Sequence, residues 1–270
     1  MINKYIQDYI DLVEQGKIRT CTEQKQLVAM VKKALQEEDL KVDEVRLEKY
    51  MSYQQYFPFN LFPWQTFVFA LHCCVFKKDG TPRWSDLFVL MGRGGGKNGY
   101  LSFEDFCLIT PTNDIAYYDI DICANSEEQA KTSFDEIYNI LENPKWSKKF
   151  KKNFRWTKTE IQNIKTRSKI KYRTNNPKGK DGLRSGKVDF DEPHAAAPVL
   201  DDNRDILLRL KVGELAVIRP GRAVISAVTQ IQILGQLRHF QTVLLVPAVL
   251  PVLVDSGLRR LQFVADFRGR

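Results

Sequence analysis

Histidine is scarce in this chain. Only His72, His194 and His239 occur in 270 residues, and none stands at a ligand spacing, so a zinc site is not expected. The five cysteines, Cys21, Cys73, Cys74, Cys107 and Cys123, include no C-x-x-C pair. An odd number without that spacing reads as reduced, mostly buried thiols of a cytosolic protein and excludes a disulfide framework. Long apolar runs are missing too. The longest, 242–254, is broken by Pro247 and Pro251 and is too short to cross a bilayer. The first residues are amphipathic and mixed in charge, with no secretory apolar core, so the expectation is a protein without a membrane partner.

A second kind of absence divides the chain. All ten tyrosines and all four tryptophans precede residue 199. Residues 199–270 hold one lysine, Lys211, against nine arginines, whereas residues 1–198 hold twenty-three lysines and eight arginines. Eleven valines fall in that last stretch against nine in everything before it. Such a shift in usage points to a different coding origin: a separate module, a fusion or an out-of-frame read-through, of which the last is favoured. The expected organisation is a helical N-terminal segment (1–56), an α/β core (57–198) and a compositionally distinct, non-native tail of uncertain fold (199–270).

What is present begins with a formal net charge of +8, which suits a polyanionic partner. Residues 2–15 and 22–35 carry apolar side chains at three-four spacing, with Gly16 between them, and a third helix is expected over 42–56. Residues 86–99 read Asp-Leu-Phe-Val-Leu-Met-Gly-Arg-Gly-Gly-Gly-Lys-Asn-Gly, an apolar strand running into a glycine-rich loop that ends in lysine. That order suits a nucleoside triphosphate. Gly92, Gly94, Gly95 and Gly96 let backbone N–H groups curl around phosphate oxygens, and Lys97 opens a helix and adds a positive charge at the β/γ-phosphates. Two departures from the strict phosphate-loop pattern stand out: Met91 replaces the first glycine, and Asn98 replaces the Mg²⁺-binding hydroxyl. A tight connection before a helix is the competing reading.

Residues 186–192, Gly-Lys-Val-Asp-Phe-Asp-Glu, form a short β-type run ending in two carboxylates. Beside a phosphate loop such a strand carries one acid for the Mg²⁺ shell and another that polarises water, roles that fit Asp191 and Glu192. Lys187 and Asp189 interrupt its apolar pattern, and the strand is expected to lie next to the loop strand. Upstream, the aromatic run 57–69 leads into Pro63-Trp64-Gln65. A glutamine amide there can read both the donor and the acceptor of an adenine edge; a hydrophobic turn packing under the sheet is the alternative. Residues 117–124 alternate like a strand, and Asn125 and Ser126 stand ready to cap a helix over 127–141. Strand–loop–helix–strand–helix implies parallel strands with crossover helices. Between 145 and 187 stand sixteen Lys or Arg against Glu160 and Asp181, with Trp146, Phe154, Trp156 and Tyr172 interleaved. That run is either a solvated face or a surface for nucleic acid, with Lys148, Lys149, Lys151 and Lys152 as candidate contacts.

Taken in order, these pieces resemble the large subunit of tailed-phage terminases. The resemblance spans about residues 1–195 and rests on Tyr5-Ile6, Gly16-Lys17-Ile18 and Cys21, then on Pro58-Phe59, Leu61 and Pro63-Trp64-Gln65. It continues through Gly92 to Gly99, Ala124-Asn125-Ser126-Glu127-Glu128-Gln129-Ala130, Asp181-Gly182-Leu183-Arg184 and Asp191-Glu192-Pro193-His194-Ala195. It implies a P-loop NTPase fold and an ATP-hydrolysing motor that uses ATP and Mg²⁺ to drive duplex DNA into a procapsid. By the same resemblance Gln65 contacts adenine, and Arg93 and Lys97 grip the β/γ-phosphates, Arg93 in the manner of a cis arginine finger. Asp191 holds Mg²⁺ through water, and Glu192 orients the lytic water. Implied partners are double-stranded DNA, a small terminase subunit, the portal and further copies in a ring, in the cytoplasm of a bacterial host and outside the mature virion. The family's second, nuclease domain finds no counterpart in the scattered Asp201, Asp202, Asp205, Asp255 and Asp266, so a chain truncated or frameshifted near residue 195 is expected. A coupling strand is also required, and 224–229 is the stand-in. Two other readings use the same residues: a helicase-like P-loop motor, and a non-catalytic prophage remnant that at most binds nucleotide or DNA.

Overall fold

The computed structural model describes residues 2–91, 94–124, 126–173, 185–191, 224–230 and 241–246. Gly92, Arg93, Asn125 and residues 174–184 and 192–223, Glu192 among them, lie outside this set, as does most of the rest of 199–270.

The chain opens with α1 (Lys4–Glu14) and α2 (Thr22–Glu37). Their apolar stripes are those read from the spacing: Ile6, Tyr9, Ile10 and Val13 on the first, Leu27, Val28 and Val31 on the second, all buried. Gly16 takes φ +64 between them, a left-handed turn that suits glycine. The expected third helix is in fact three pieces: a short strand β1 (Leu40–Val42), α3 (Glu44–Met51) capped by Asp43, and a 3₁₀ turn over Ser52–Tyr56. Asp43 stops the helix from starting earlier because its carboxylate takes the Arg46 N–H at 3.0 Å. Next come α4 (Pro63–Cys74), with proline in its first turn, and β2 (Val75–Lys77), antiparallel to β1. The N-terminal helices brace α4: the Tyr9 ring lies 4.6 Å from that of Phe67, and Tyr50 meets Phe69 edge-on at 5.6 Å.

The main sheet follows: β3 (Asp86–Met91), α5 (Lys97–Ile109), β4 (Ile120–Ala124), α6 (Glu127–Glu142) and a single-turn α7 (Ser147–Phe150). Then come β5 (Phe154–Trp156), β6 (Ile161–Asn163), β7 (Lys169–Arg173), β8 (Lys187–Asp191), β9 (Val224–Gln230) and β10 (Gln241–Val246). Spatial order is β10-β3-β9-β8-β4-β7-β6-β5. The five central strands β3, β9, β8, β4 and β7 run parallel, and an antiparallel strand or hairpin closes each side. This is the α/β architecture expected from the strand–helix alternation, with helices flanking a mostly parallel sheet. Helix α5 is buried on every side from Tyr100 to Ile109, as a helix enclosed between a sheet and other helices must be. Strand β4 starts three residues later than the alternation suggests, because Tyr117 adopts φ +57 and breaks the extended run.

The structure amends the expectations at two points. The acidic strand β8 does not lie next to the loop strand β3; β9 sits between them, paired parallel to both. The tail also contributes to the sheet, since β9 and β10 flank β3 on either side. The expected coupling segment, 224–229, is thus the strand between the loop strand and the acidic strand.

Candidate nucleotide site

The parallel strands bring their carboxyl ends to one rim, and the motif residues converge there. In the register Leu90 aligns with Thr229, Met91 with Gln230, and Asp191 with both Val228 and Ala124. The crevice beyond the carboxyl ends of such a sheet is where ligands of α/β proteins bind.

Within the loop, Gly94 and Gly96 take φ +79 and +87. Space reinforces torsion at Gly96: a Cβ there would stand 2.8 Å from the Phe62 ring and 2.9 Å from Gln65 Nε2. Gly96 is therefore closed to any side chain, and it serves as the N-cap of α5. The end of α5 that carries Lys97 presents free N–H groups and the positive end of the helix dipole.

Lys97 Nζ and Asp191 Oδ1 form an ion pair, each side chain only 10% exposed. The pair joins residues ninety-four positions apart and spans the width of β9. Two strand spacings amount to about 9.6 Å, within the combined reach of a lysine and an aspartate side chain. Asp191 is the described carboxylate that faces the loop. Among the described residues no group of three or more His, Cys, Asp and Glu side chains gathers into a cage. One carboxylate beside a phosphate loop fits Mg²⁺, which keeps waters and shares the nucleotide's phosphates; it does not fit a cation that needs an all-protein shell.

Gln65 lies in the first turn of α4, 2% exposed. Its Oε1 accepts the Phe62 N–H at 2.6 Å, and its Nε2 donates to the Gly96 carbonyl at 2.7 Å. The amide thereby caps α4 and ties that helix to the glycine-rich loop, retaining one N–H and one lone pair. Phe62, 47% exposed, stands beside it with its ring edge on Gly96. Phe59 packs where a Cβ on Gly99 would fall, 3.1 Å away, and Trp64 lies against Tyr100 at 5.7 Å. The aromatic run thus packs on the start of α5. Asn98 follows Lys97 in the first turn of α5, half-buried, and Gly95 precedes Gly96 at the loop's end. Arg93, Gly92 and Glu192 fall outside the described residues.

The part of the basic run that leads into β5, residues 145–155, stands at the far edge of the sheet. Strand β5 is six positions from β3, about 29 Å at ordinary strand spacing. The lysines before β5 are thus separated from the strand ends that carry Lys97 and Asp191. Lys148, Lys151 and Lys152 are exposed and make no ion pair among the described residues. Lys149 differs, since its ammonium donates to Tyr56 Oη at 2.6 Å and sits 5.1 Å from that ring's centre. Lys169 and Lys171 share Glu160 at 3.5 and 2.7 Å.

No protein-family model matches the chain, and no curated protein is detectably similar to it. Solved structures similar to it include the large terminase of bacteriophage HK97, at 14% identity and a TM-score of 0.49, over 70% of this chain and 38% of that one. Two structures of the Thermus phage P74-26 large terminase ATPase domain, one an arginine-to-alanine mutant, match at 12% identity and a TM-score of 0.42. They cover 68% and 66% of this chain and 71% and 68% of theirs. The chain therefore spans well under half the length of the HK97 protein. Likenesses this low carry no conclusion about activity, and the fold rests on the strand order and register above.

One set of residues near this rim escapes a reading by motif: the buried charges behind Asp191 on β8. Their signal in the sequence is Lys187 and Asp189 alternating with apolar residues in a strand that otherwise reads as core.

Proposed function

We propose that this chain is an ATP-hydrolysing motor domain of the phage large-terminase type, acting on duplex DNA. The observation that supports this most is the Lys97–Asp191 pair, which joins the end of the glycine loop to the end of the acidic strand across β9. In that arrangement the loop N–H groups and Lys97 hold the β- and γ-phosphates, and Asp191 turns from Lys97 to the Mg²⁺ shell. Asp191 would hold Mg²⁺, which would supply neutralisation of the charge that develops on phosphoryl transfer. Glu192 orients the attacking water, and Arg93 stabilises the transferring group. Gln65 offers its remaining N–H and lone pair to adenine beside the Phe62 ring. Strand β9, running between the loop strand and Asp191, is suited to couple hydrolysis to movement. The lysines before β5 take the DNA backbone, remote from the nucleotide, so that hydrolysis and DNA contact occupy separate faces.

The test is phosphate release from ATP by the full chain, with and without linear duplex DNA. Mg²⁺-dependent release that rises with duplex and disappears in Asp191→Asn is expected. Release unaffected by that substitution would remove the site from the chemistry.

A further inference from the structure

Lys187 is fully buried, and its ammonium touches three carboxylates. Glu104 Oε2 is 2.8 Å away, Asp189 Oδ1 is 2.9 Å away, and Asp105 makes the third contact. Glu104 in turn accepts the Tyr100 hydroxyl at 2.8 Å and lies 3.3 Å from His72 Nδ1. Burial alone would raise the Glu104 pKa, but the Lys187 ammonium and His72 hold its carboxyl well below the usual carboxylate range. Burial pushes Asp105 and Asp189, which face one another, above that range. For Lys187 burial works the other way, but its three acidic neighbours hold it firmly charged.

The cluster's position gives it meaning. It draws on three elements, α4 (His72), α5 (Glu104, Asp105) and β8 (Lys187, Asp189). Each of these carries one nucleotide-site residue at its rim end. His72 is seven residues from Gln65, and Glu104 is seven from Lys97. In both cases that is two helical turns on the same side, about 10.5 Å below the rim. Lys187 precedes Asp191 by four residues on the same strand face, about 13 Å away. The burial of β8 follows suit, with Lys187, Asp189 and Asp191 buried and Val188 and Phe190 only half-buried. A hydrophobic seam would let helix and strand slide at small cost, because apolar contact is non-directional. One cation shared by three fixed carboxylates has a single good alignment.

We infer that Lys187 is a positioning residue of the nucleotide site, the centre of a buried three-element joint that sets Asp191 in register with Lys97 and Gln65. The inference rests on the nucleotide-site reading above. It predicts a selective defect: loosening the joint displaces the strand bearing the Mg²⁺ carboxylate relative to the helices bearing the phosphate and base contacts.

The test compares the full chain with Lys187→Met and with the charge-balanced pair Lys187→Met/Asp105→Asn. Glu104→Gln, which keeps side-chain volume, stands in should neither give a cooperative melt. Binding of a fluorescent ATP analogue is measured with Mg²⁺ and with EDTA. The joint predicts that the Mg²⁺-dependent gain in affinity falls by about tenfold while affinity in EDTA changes little. An equal fall in both conditions, or an undiminished Mg²⁺ gain, overturns it. Hydrogen exchange on nucleotide-free protein supplies an arm independent of ATP. Exchange at the Tyr100 N–H, which donates to the Gly96 carbonyl at 3.0 Å one turn above Glu104 on α5, should quicken by about tenfold. Exchange confined to 104–105 and 187–189 would make the cluster a local packing feature and overturn the inference. Should the parent bind no nucleotide in either condition, the nucleotide-site reading fails, and the exchange arm alone decides the joint.

Discussion

Two regions of this protein are built from the same residue types and behave oppositely. At and behind the rim that carries the glycine loop, lysine and carboxylates are enclosed: Lys187, Glu104, Asp105 and Asp189 have no exposed surface, and Lys97 and Asp191 very little. At the far edge of the sheet the lysines before β5 stand in water. Charge in the first region fixes geometry, because an unpaired ion in a low-dielectric interior is costly. In the second it fixes almost nothing within the fold, since exposed charges are screened and held loosely. A lysine inside a strand and a lysine in a basic run therefore carry different information even when their neighbours in sequence look alike.

Substitutions can sharpen that contrast. The largest effect is expected at Lys187→Met, which leaves buried carboxylates without their cation and should cost about 3–5 kcal/mol in urea unfolding. A loss no greater than that of a surface lysine would erase the distinction between the regions. Asn163→Ala should come next. This side chain is fully buried in the basic hairpin, donates from Nδ2 to the Ile109 carbonyl at 2.7 Å, and accepts the Lys165 N–H at 2.9 Å. Thermal unfolding should show a loss of about 1–3 kcal/mol, so that the basic edge is anchored by a neutral amide rather than by its charges. Ser126→Ala, which removes the cap hydrogen bond to the Gln129 N–H at 3.2 Å, should cost about 1 kcal/mol by the same measurement.

The smallest effect on folding is expected from Lys148→Glu/Lys151→Glu/Lys152→Glu, within about 0.5 kcal/mol. The same variant should bind duplex DNA more weakly, with a salt slope reduced by about 0.9 for each phosphate no longer neutralised. An unchanged slope would leave these lysines as a solvated face. Lys149→Glu belongs elsewhere in the series, because its hydrogen bond to Tyr56 makes it part of the packing.

Where local chemistry decides structure, the sequence is readable. Helix α5 begins at Lys97 and ends at Ile109, as the glycine cap and apolar pattern indicate, and the Ser126 cap is where the helix signal places it. The converging pair Lys97 and Asp191 is legible as two motifs but not as neighbours across an intervening strand. Strand order depends on long-range pairing, and nothing in residues 186–192 says that β9 will insert beside them. The N-terminal boundary of β4 is hidden by a backbone torsion at Tyr117, which the alternating pattern does not encode. Gln65 stands out by its setting between Pro63-Trp64 and the loop, yet its hydrogen bond to the Gly96 carbonyl emerges only when α4 and the loop meet. The buried cluster is the least legible of all. Glu104, Asp105 and Lys187 are charged residues that only their partners make tolerable in a core, and those partners lie more than eighty residues apart.

Whether the glycine loop and the acidic strand together hold a nucleotide decides the motor reading. The direct measurement is calorimetric titration of ATP with Mg²⁺ into the full chain and into Lys97→Ala. Removing a charge-assisted hydrogen bond to phosphate should weaken affinity tenfold or more, about 1.5–3 kcal/mol, and the free protein should melt somewhat lower because Asp191 loses its ion pair with Lys97. Equal affinity in the two proteins would contradict the nucleotide site, and with it the motor.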